Sequence, residues 1–131
     1  MQIAVTSMAE DEDFDPQWRE PVREMASQIE RMQSLVTDLM RAGFQVCIHA
    51  IGDAAVRQCL DAVDAAQRAN PPWDRRHTSC HVYYVEPDDL PRFAELGAIA
   101  SMMPYEAIDD GRWAEDRLGP ERIKYAYAFR S

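Results

Sequence analysis

Apolar residues recur at steps of three and four between Pro21 and Arg41, at Val22, Met25, Ile29, Met32, Val36 and Leu39. That spacing lines one face of a helix. Gly43 follows, where a left-handed helix stop favours glycine. The pattern then changes. Phe44 to Asp53, FQVCIHAIGD, is a near-continuous apolar run that carries His49 to its far end and breaks at Gly52 and Asp53. Val46, Cys47, Ile48, Ala50 and Ile51 leave no polar alternation, which predicts a parallel strand covered on both faces. Asp53 is expected to cap a helix over residues 54–69 with Val56, Cys59, Leu60 and Val63 inward, stopped by Asn70-Pro71-Pro72.

The same alternation continues downstream. HTSCHVYYV, residues 77–85, predicts a second strand, and EPDDLPRFAELG a short helix with Leu90, Phe93 and Leu96 on one face and Gly97 as its stop. AIASMMP, residues 98–104, predicts a third strand. YEAIDDGRW is expected as a loop, residues 113–118 as one or two helical turns, and Gly119-Pro120-Glu121 as the start of a final helix bearing Ile123, Tyr125, Tyr127 and Phe129. Parallel strands joined by helical crossovers define an α/β layer architecture, in which ligands sit at the carboxyl ends of the strands. His49 lies at such an end. His81 faces the same mouth if its strand closes near Val82.

Composition narrows the function classes. The 131 residues suit one core; with 47% hydrophobic and 28% charged residues the chain reads as globular. A formal charge of -9, from 23 acidic and 14 basic residues, argues against nucleic acid and anionic lipid as partners. Residues 1–15 read as an acidic, poorly ordered lead-in, and residues 16–131 as the α/β domain. The N-terminus turns acidic too soon for a secretory signal, and no apolar run approaches the ~18 residues of a membrane span. Cys47, Cys59 and Cys80 have no small-scaffold spacing and read as buried thiols of a reducing, cytoplasmic compartment.

Two histidines on neighbouring parallel strands can converge on one ion, since adjacent strands are ~4.8 Å apart and imidazole binds metal at ~2.0–2.1 Å. One such histidine alone reads more readily as a core or hydrogen-bonded residue than as a ligand; two on consecutive strands read equally either way. Four blocks carry a resemblance: HAIGDAAV (His49 to Val56), RHTSCH (Arg76 to His81), DLPRFAELGAIASMMP (Asp89 to Pro104) and WAEDRLGP (Trp113 to Pro120). Over roughly residues 40–130 the chain resembles the family 3 branch of the metal-dependent amidohydrolase superfamily. That resemblance implies part of a TIM-type (β/α)8 barrel, about half of one, in which one or two divalent metals, usually zinc, activate water to hydrolyse amide or cyclic amide bonds. It implies His49 as the metal ligand ending the fifth strand, His81 as the one ending the sixth, and a small amide-type substrate.

The resemblance is incomplete. The family's H-x-H pair, its bridging lysine or glutamate and its general-base aspartate have no counterpart here, and two ligands fall short of the three that a catalytic zinc site uses. Cys80 stands where an acidic residue is usual. Met103-Pro104 and Glu106 stand where Gln-Pro and a histidine often occur. Cys80 is expected as a buried structural thiol, with soft-metal binding as the alternative; His77 as a structural residue at the entering end of its strand; Asp109-Asp110 as a solvated pair. The second reading of the whole chain is a non-catalytic α/β module whose open sheet edges pair with a second copy or a complementary chain.

Overall fold

The computed structural model describes residues 16–129; the acidic stretch over residues 1–15 lies outside the described residues. Helix α1 spans Pro16–Arg41 and accommodates Pro21 in its second turn. Its apolar stripe is used unevenly. Val36 and Met40 are buried, Ile29, Met32 and Leu39 are half-buried, and Met25 is 54% exposed, so the large apolar side chains are covered mainly toward the C-terminal end. Gly43 ends it at a φ of 88°, a left-handed conformation that costs glycine least.

Strand β1 (Cys47–Ala50), helix α2 (Asp53–Ala69), strand β2 (Thr78–His81), helix α3 (Leu90–Leu96) and strand β3 (Ile99–Met102) follow in alternation. The strands form one parallel sheet in the order β1-β2-β3, with His49 opposite Cys80 and Ala50 opposite His81. This is the α/β architecture that the periodicity predicts, with three strands. Among the described residues no helix is long and apolar enough to cross a membrane.

Two apolar clusters hold the layers together, and α2 contributes to both. Val56, Cys59 and Leu60 pack with Ala50, Val82 and Val85, against half-buried Leu90, Phe93 and Met102. Ala62 and Ala66 pack with Val36, Met40 and Val46. The small residues of α2 let α1 approach, and its larger ones reach the sheet. Both clusters lie on the helical side. The expectation that β1 is covered on both faces is therefore corrected: Cys47 and His49 are exposed, and Ala50 is buried. A strand with an uninterrupted apolar run satisfies either arrangement, because the pleat alone decides which residues face the helices.

Three further boundaries differ from expectation. Helix α2 begins at Asp53 and has Gly52 as its cap, and the Asp53 carboxylate accepts from the Ala54 N–H and from Arg122 instead of capping the helix. Residues 104–109 form a short helix, α4 (Pro104–Asp109), because Pro104 at the first turn is preset for helix. Helix α5 (Gly111–Arg122) kinks at Gly119, where φ is 77°, and the chain leaves through a tight 3-10 turn, Ile123–Tyr125. No long terminal helix forms over 123–129. Instead Val85 N–H donates to the Tyr125 carbonyl and Tyr127 N–H to the Tyr83 carbonyl, an antiparallel pairing with the segment that follows β2.

A buried carboxylate fastens α2 to α3. Asp89, 2% exposed, accepts from Arg57 Nε at 2.8 Å and Arg92 Nη1 at 2.9 Å, and Arg92 also reaches Asp61 at 2.6 Å. Removing Asp89 leaves two guanidinium groups without their shared acceptor. Both retain some solvent access, which moderates the loss. Asp89→Ala is expected to destabilise the chain by about 2–3 kcal/mol in urea denaturation, and a change under ~0.5 kcal/mol contradicts the role.

His77, at the entering end of β2, is buried and accepts the Val46 N–H at its Nδ1, 3.1 Å away. Burial, with the nearby Arg75 charge, holds its pKa below the ordinary value. The unfolded imidazole titrates near ~6.5 and the folded one lower, so between the two values the unfolded chain binds more protons. The stability contributed by neutral His77 is complete above the unfolded value and is lost as pH falls through it toward the folded one. Denaturation midpoints are expected to fall as pH drops from about 7 to about 5.5, less so in His77→Asn. Equal slopes in both proteins exclude His77 as the source.

Candidate metal centre

The site is built where β1 and β2 end side by side. His49 points from the open face of β1, and His81 is the last residue of β2. Their rings come together: His49 Nδ1 lies 2.8 Å from His81 Nε2, with ring centroids 4.9 Å apart. A parallel register that sets Ala50 opposite His81 would place the two imidazoles on opposite faces of a regular sheet. The backbone resolves this. His81 and Val82 have φ of 76° and 51°, left-handed values that are costly for any residue with a Cβ and most for a β-branched one. The turn swings His81 toward His49 and lets Val82 enter the core at 2% exposure.

Below His81 a polar chain fixes the ring. His81 Nδ1 lies 3.2 Å from the Tyr83 hydroxyl, whose ring stands edge-on to the imidazole. Tyr83 is buried, and its phenol is pushed above the ordinary range by burial, by the Glu106 charge and by a hydrogen bond with Glu106. The Tyr83 hydroxyl and His81 Nδ1 share one hydrogen bond, which leaves Nε2 facing His49. Glu106, from α4, acts on the Tyr83 phenol through its charge.

Around this pair, Asp53 sits at the start of α2 beside Arg122, lining a cavity of about 180 Å³ with Tyr84, Glu86 and Tyr125. Burial raises its carboxyl, and the Ala54 N–H and the Arg122 guanidinium more than offset this, so its pKa lies below the ordinary value. On the other side, an apolar groove of about 460 Å³ runs from α1 to the free edge of β1, lined by Met32, Leu35, Leu39, Phe44, Cys47 and His49.

The matched region decides the family. Residues 5–131 match the model of the amidohydrolase family. The chain belongs to that family. It is 35% identical over 103 residues to Protein LONG AFTER FAR-RED 3 of Arabidopsis thaliana, covering 78% of this chain and 18% of that protein. To the putative amidohydrolase YtcJ of Bacillus subtilis it is 29% identical over 103 residues, covering 78% and 19%. Among solved structures it resembles an uncharacterized metal-dependent hydrolase from Pyrococcus furiosus, with a TM-score of 0.65, 31% identity and coverage of 76% of this chain and 19% of that one. A second, from Pyrococcus horikoshii, gives 0.66, 29%, 78% and 20%. The matched region spans about a fifth of each relative.

For this amidohydrolase-family chain the structure brings together His49 and His81 and leaves His77 apart, as a hydrogen-bonded residue of the strand entrance. Among the described residues no group of three His, Cys, Asp or Glu side chains converges as a metal cluster. The two ring nitrogens, 2.8 Å apart, share a hydrogen bond, and imidazole is a donor that suits a divalent ion of the borderline class, here as a partial donor set. Tyr83 was not singled out from the sequence. Its signal was position: two residues beyond His81, with a hydroxyl able to bond a ring nitrogen.

The expectation of buried thiols holds for Cys59 and is corrected for the other two. Cys47 is exposed, Cys80 is half-buried, and both are free. The thiols lie on the open face for the same reason as His49: they occupy outward positions of the pleat.

Tyr83→Phe removes the hydroxyl that bonds His81 Nδ1. It is expected to cost about 1 kcal/mol in stability and to change the imidazole nitrogen shifts of His81 in 15N NMR. Unchanged His81 nitrogen shifts would show that Tyr83 does not set the ring.

Proposed function

We propose that this chain carries two ligands, His49 and His81, of a divalent-metal site that hydrolyses C–N bonds in small amide-type substrates. The observation that carries the reading is the 2.8 Å approach of the two ring nitrogens at adjacent strand ends, in a chain of the amidohydrolase family. Zinc is the ion this reading favours, because neutral imidazole donors suit it and it needs no redox partner. When bound, such an ion supplies Lewis acidity toward a carbonyl oxygen and lowers the pKa of water. The residues of this chain do the positioning. Tyr83, with its hydroxyl 3.2 Å from His81 Nδ1, holds the His81 ring and so orients Nε2 toward His49.

Catalytic zinc sites use three protein donors. The reading accordingly includes a third donor and a general base from a further segment or chain. It places the protein in a reducing, cytoplasmic setting, in keeping with the two free thiols beside the site. A second reading is favoured by the edge of β1: Leu35 and Phe44, each 59% exposed, border a strand that among the described residues pairs on one side only, and such an edge beside apolar surface seeks a partner strand. On that reading a second copy or a complementary chain covers the groove and supplies the missing donors.

Elemental analysis of zinc after equilibrium dialysis tests the metal reading. The wild-type chain is expected to retain the ion, with affinity reduced at least about tenfold in His49→Ala and in His81→Ala. Equal retention in wild type and the double variant, or none in either, overturns it. Sedimentation over a concentration series addresses the second reading, where a monomer at all concentrations is the contrary result.

A further inference from the structure

One rung from the histidines lies a second pair of donors that the hydrolytic reading does not use. Cys47 Sγ and Cys80 Sγ are 2.8 Å apart on the open face of the sheet, and both are unoxidised. We propose that these two thiols form a clamp for a soft monovalent cation of the copper(I) type, held between two thiolate sulfurs.

The register decides between this and a disulfide. Cys47 pairs with Thr78, and Cys80 with His49, so the two cysteines are diagonal, two rungs apart across neighbouring parallel strands. With ~4.8 Å between strands and ~3.3 Å per residue, that stagger separates their Cα atoms by ~8 Å. A disulfide needs Cα atoms 4.4–6.8 Å apart, so closing one would require the sheet to shear. An ion between the sulfurs, at roughly 2.3 Å from each, spaces them about 4.6 Å apart and suits the wider separation. From their 2.8 Å separation the sulfurs would part by about 1.8 Å to admit the ion, a movement open to Cys47 because its side chain is exposed.

The donor type selects the ion. Thiolates favour soft d10 cations, whereas the imidazole pair beyond them favours borderline divalent ions. Two donor pairs stacked along the same strands thus differ in the metal each prefers. Among the described residues they do not merge into a three-donor cluster. The balance is simple: two S–H protons pass to solvent, two sulfur–metal bonds form, and no electron is transferred. Cys59, the third thiol, is 2% exposed and takes no part. It serves as the internal control.

The test uses the reduced 131-residue chain under anaerobic conditions, with copper(I) presented as its coloured bicinchoninate complex. Loss of colour is expected to show one ion transferred per chain. Cys47→Ser and Cys80→Ser should each weaken transfer at least about tenfold, while Cys59→Ala leaves it unchanged. In the wild-type protein, copper(I) should also slow iodoacetamide labelling of Cys47 and Cys80, read by peptide mass, which needs no variant. Transfer that survives Cys47→Ser, labelling rates unaffected by copper, or rapid formation of a Cys47–Cys80 disulfide without copper uptake each overturn the clamp. Because zinc retention reports the histidines and copper(I) transfer the thiols, either site can fail alone and be recognised.

Discussion

The constraint on which the site depends is the left-handed turn at the end of β2. Two consecutive residues with side chains, His81 and Val82, hold positive φ. At roughly 1–2 kcal/mol per residue, more for a β-branched one, this conformation does not persist unaided. Burying the Val82 side chain against Ala50 and Leu60 returns about 1.5–3 kcal/mol, a comparable amount. The ladder beyond the strand adds to it: Val82 N–H donates to the Ala50 carbonyl at 2.9 Å and Tyr84 N–H to the Ile51 carbonyl at 3.2 Å. Without the turn, His81 would face away from His49, Val82 would leave the core, and Tyr83 would lose its place beneath the imidazole.

Helix α2 supplies the other half of the frame. It contributes buried residues to both apolar clusters, and its charged residues reach outward to hold α3 through Arg57, Asp61, Asp89 and Arg92. Its first residue, Asp53, pairs with Arg122 of α5. The helix therefore joins its neighbours by apolar contact on one side and by directional ion pairs elsewhere. Apolar burial is insensitive to register, whereas the paired guanidinium groups of Arg57 and Arg92 accept one arrangement of α2 on α3. The position of β1 follows from that of α2, since Val46 and Ala50 pack against it.

The sequence was legible where one physical signal acted alone. The helical stripe up to Leu39, the glycine stops at Gly43 and Gly97, and the run that ends in His49 each reflect local geometry, and each appears in the structure. It was illegible where geometry is set from a distance. Ile123, Tyr125, Tyr127 and Phe129 recur at every second residue, a strand-like spacing, yet the preceding Gly-Pro-Glu suggests a helix start; the hydrogen bonds to Tyr83 and Val85 decide against the helix. Residues 104–109 are too short and polar to show a helical period. The meeting of Cys47 with Cys80 depends on strand register, and the pairing of His49 with His81 on a left-handed turn that no nearby glycine announces. The resemblance of the HAIGD and RHTSCH blocks pointed to the histidines, while Tyr83 and Glu106 became visible only with their contacts.

The division between the two faces of the sheet explains why this arrangement can carry chemistry. Apolar burial lies on the helical side, where Ala50, Val56, Leu60 and Val82 are nearly inaccessible. Cys47 and His49 project to the other side, and Cys80 and His81 stand beside them, half-exposed. Exposed donors contribute little to the core, so their identity is set by chemistry more than by folding. The rings and sulfurs are placed by strand ends whose positions the helical side has already determined.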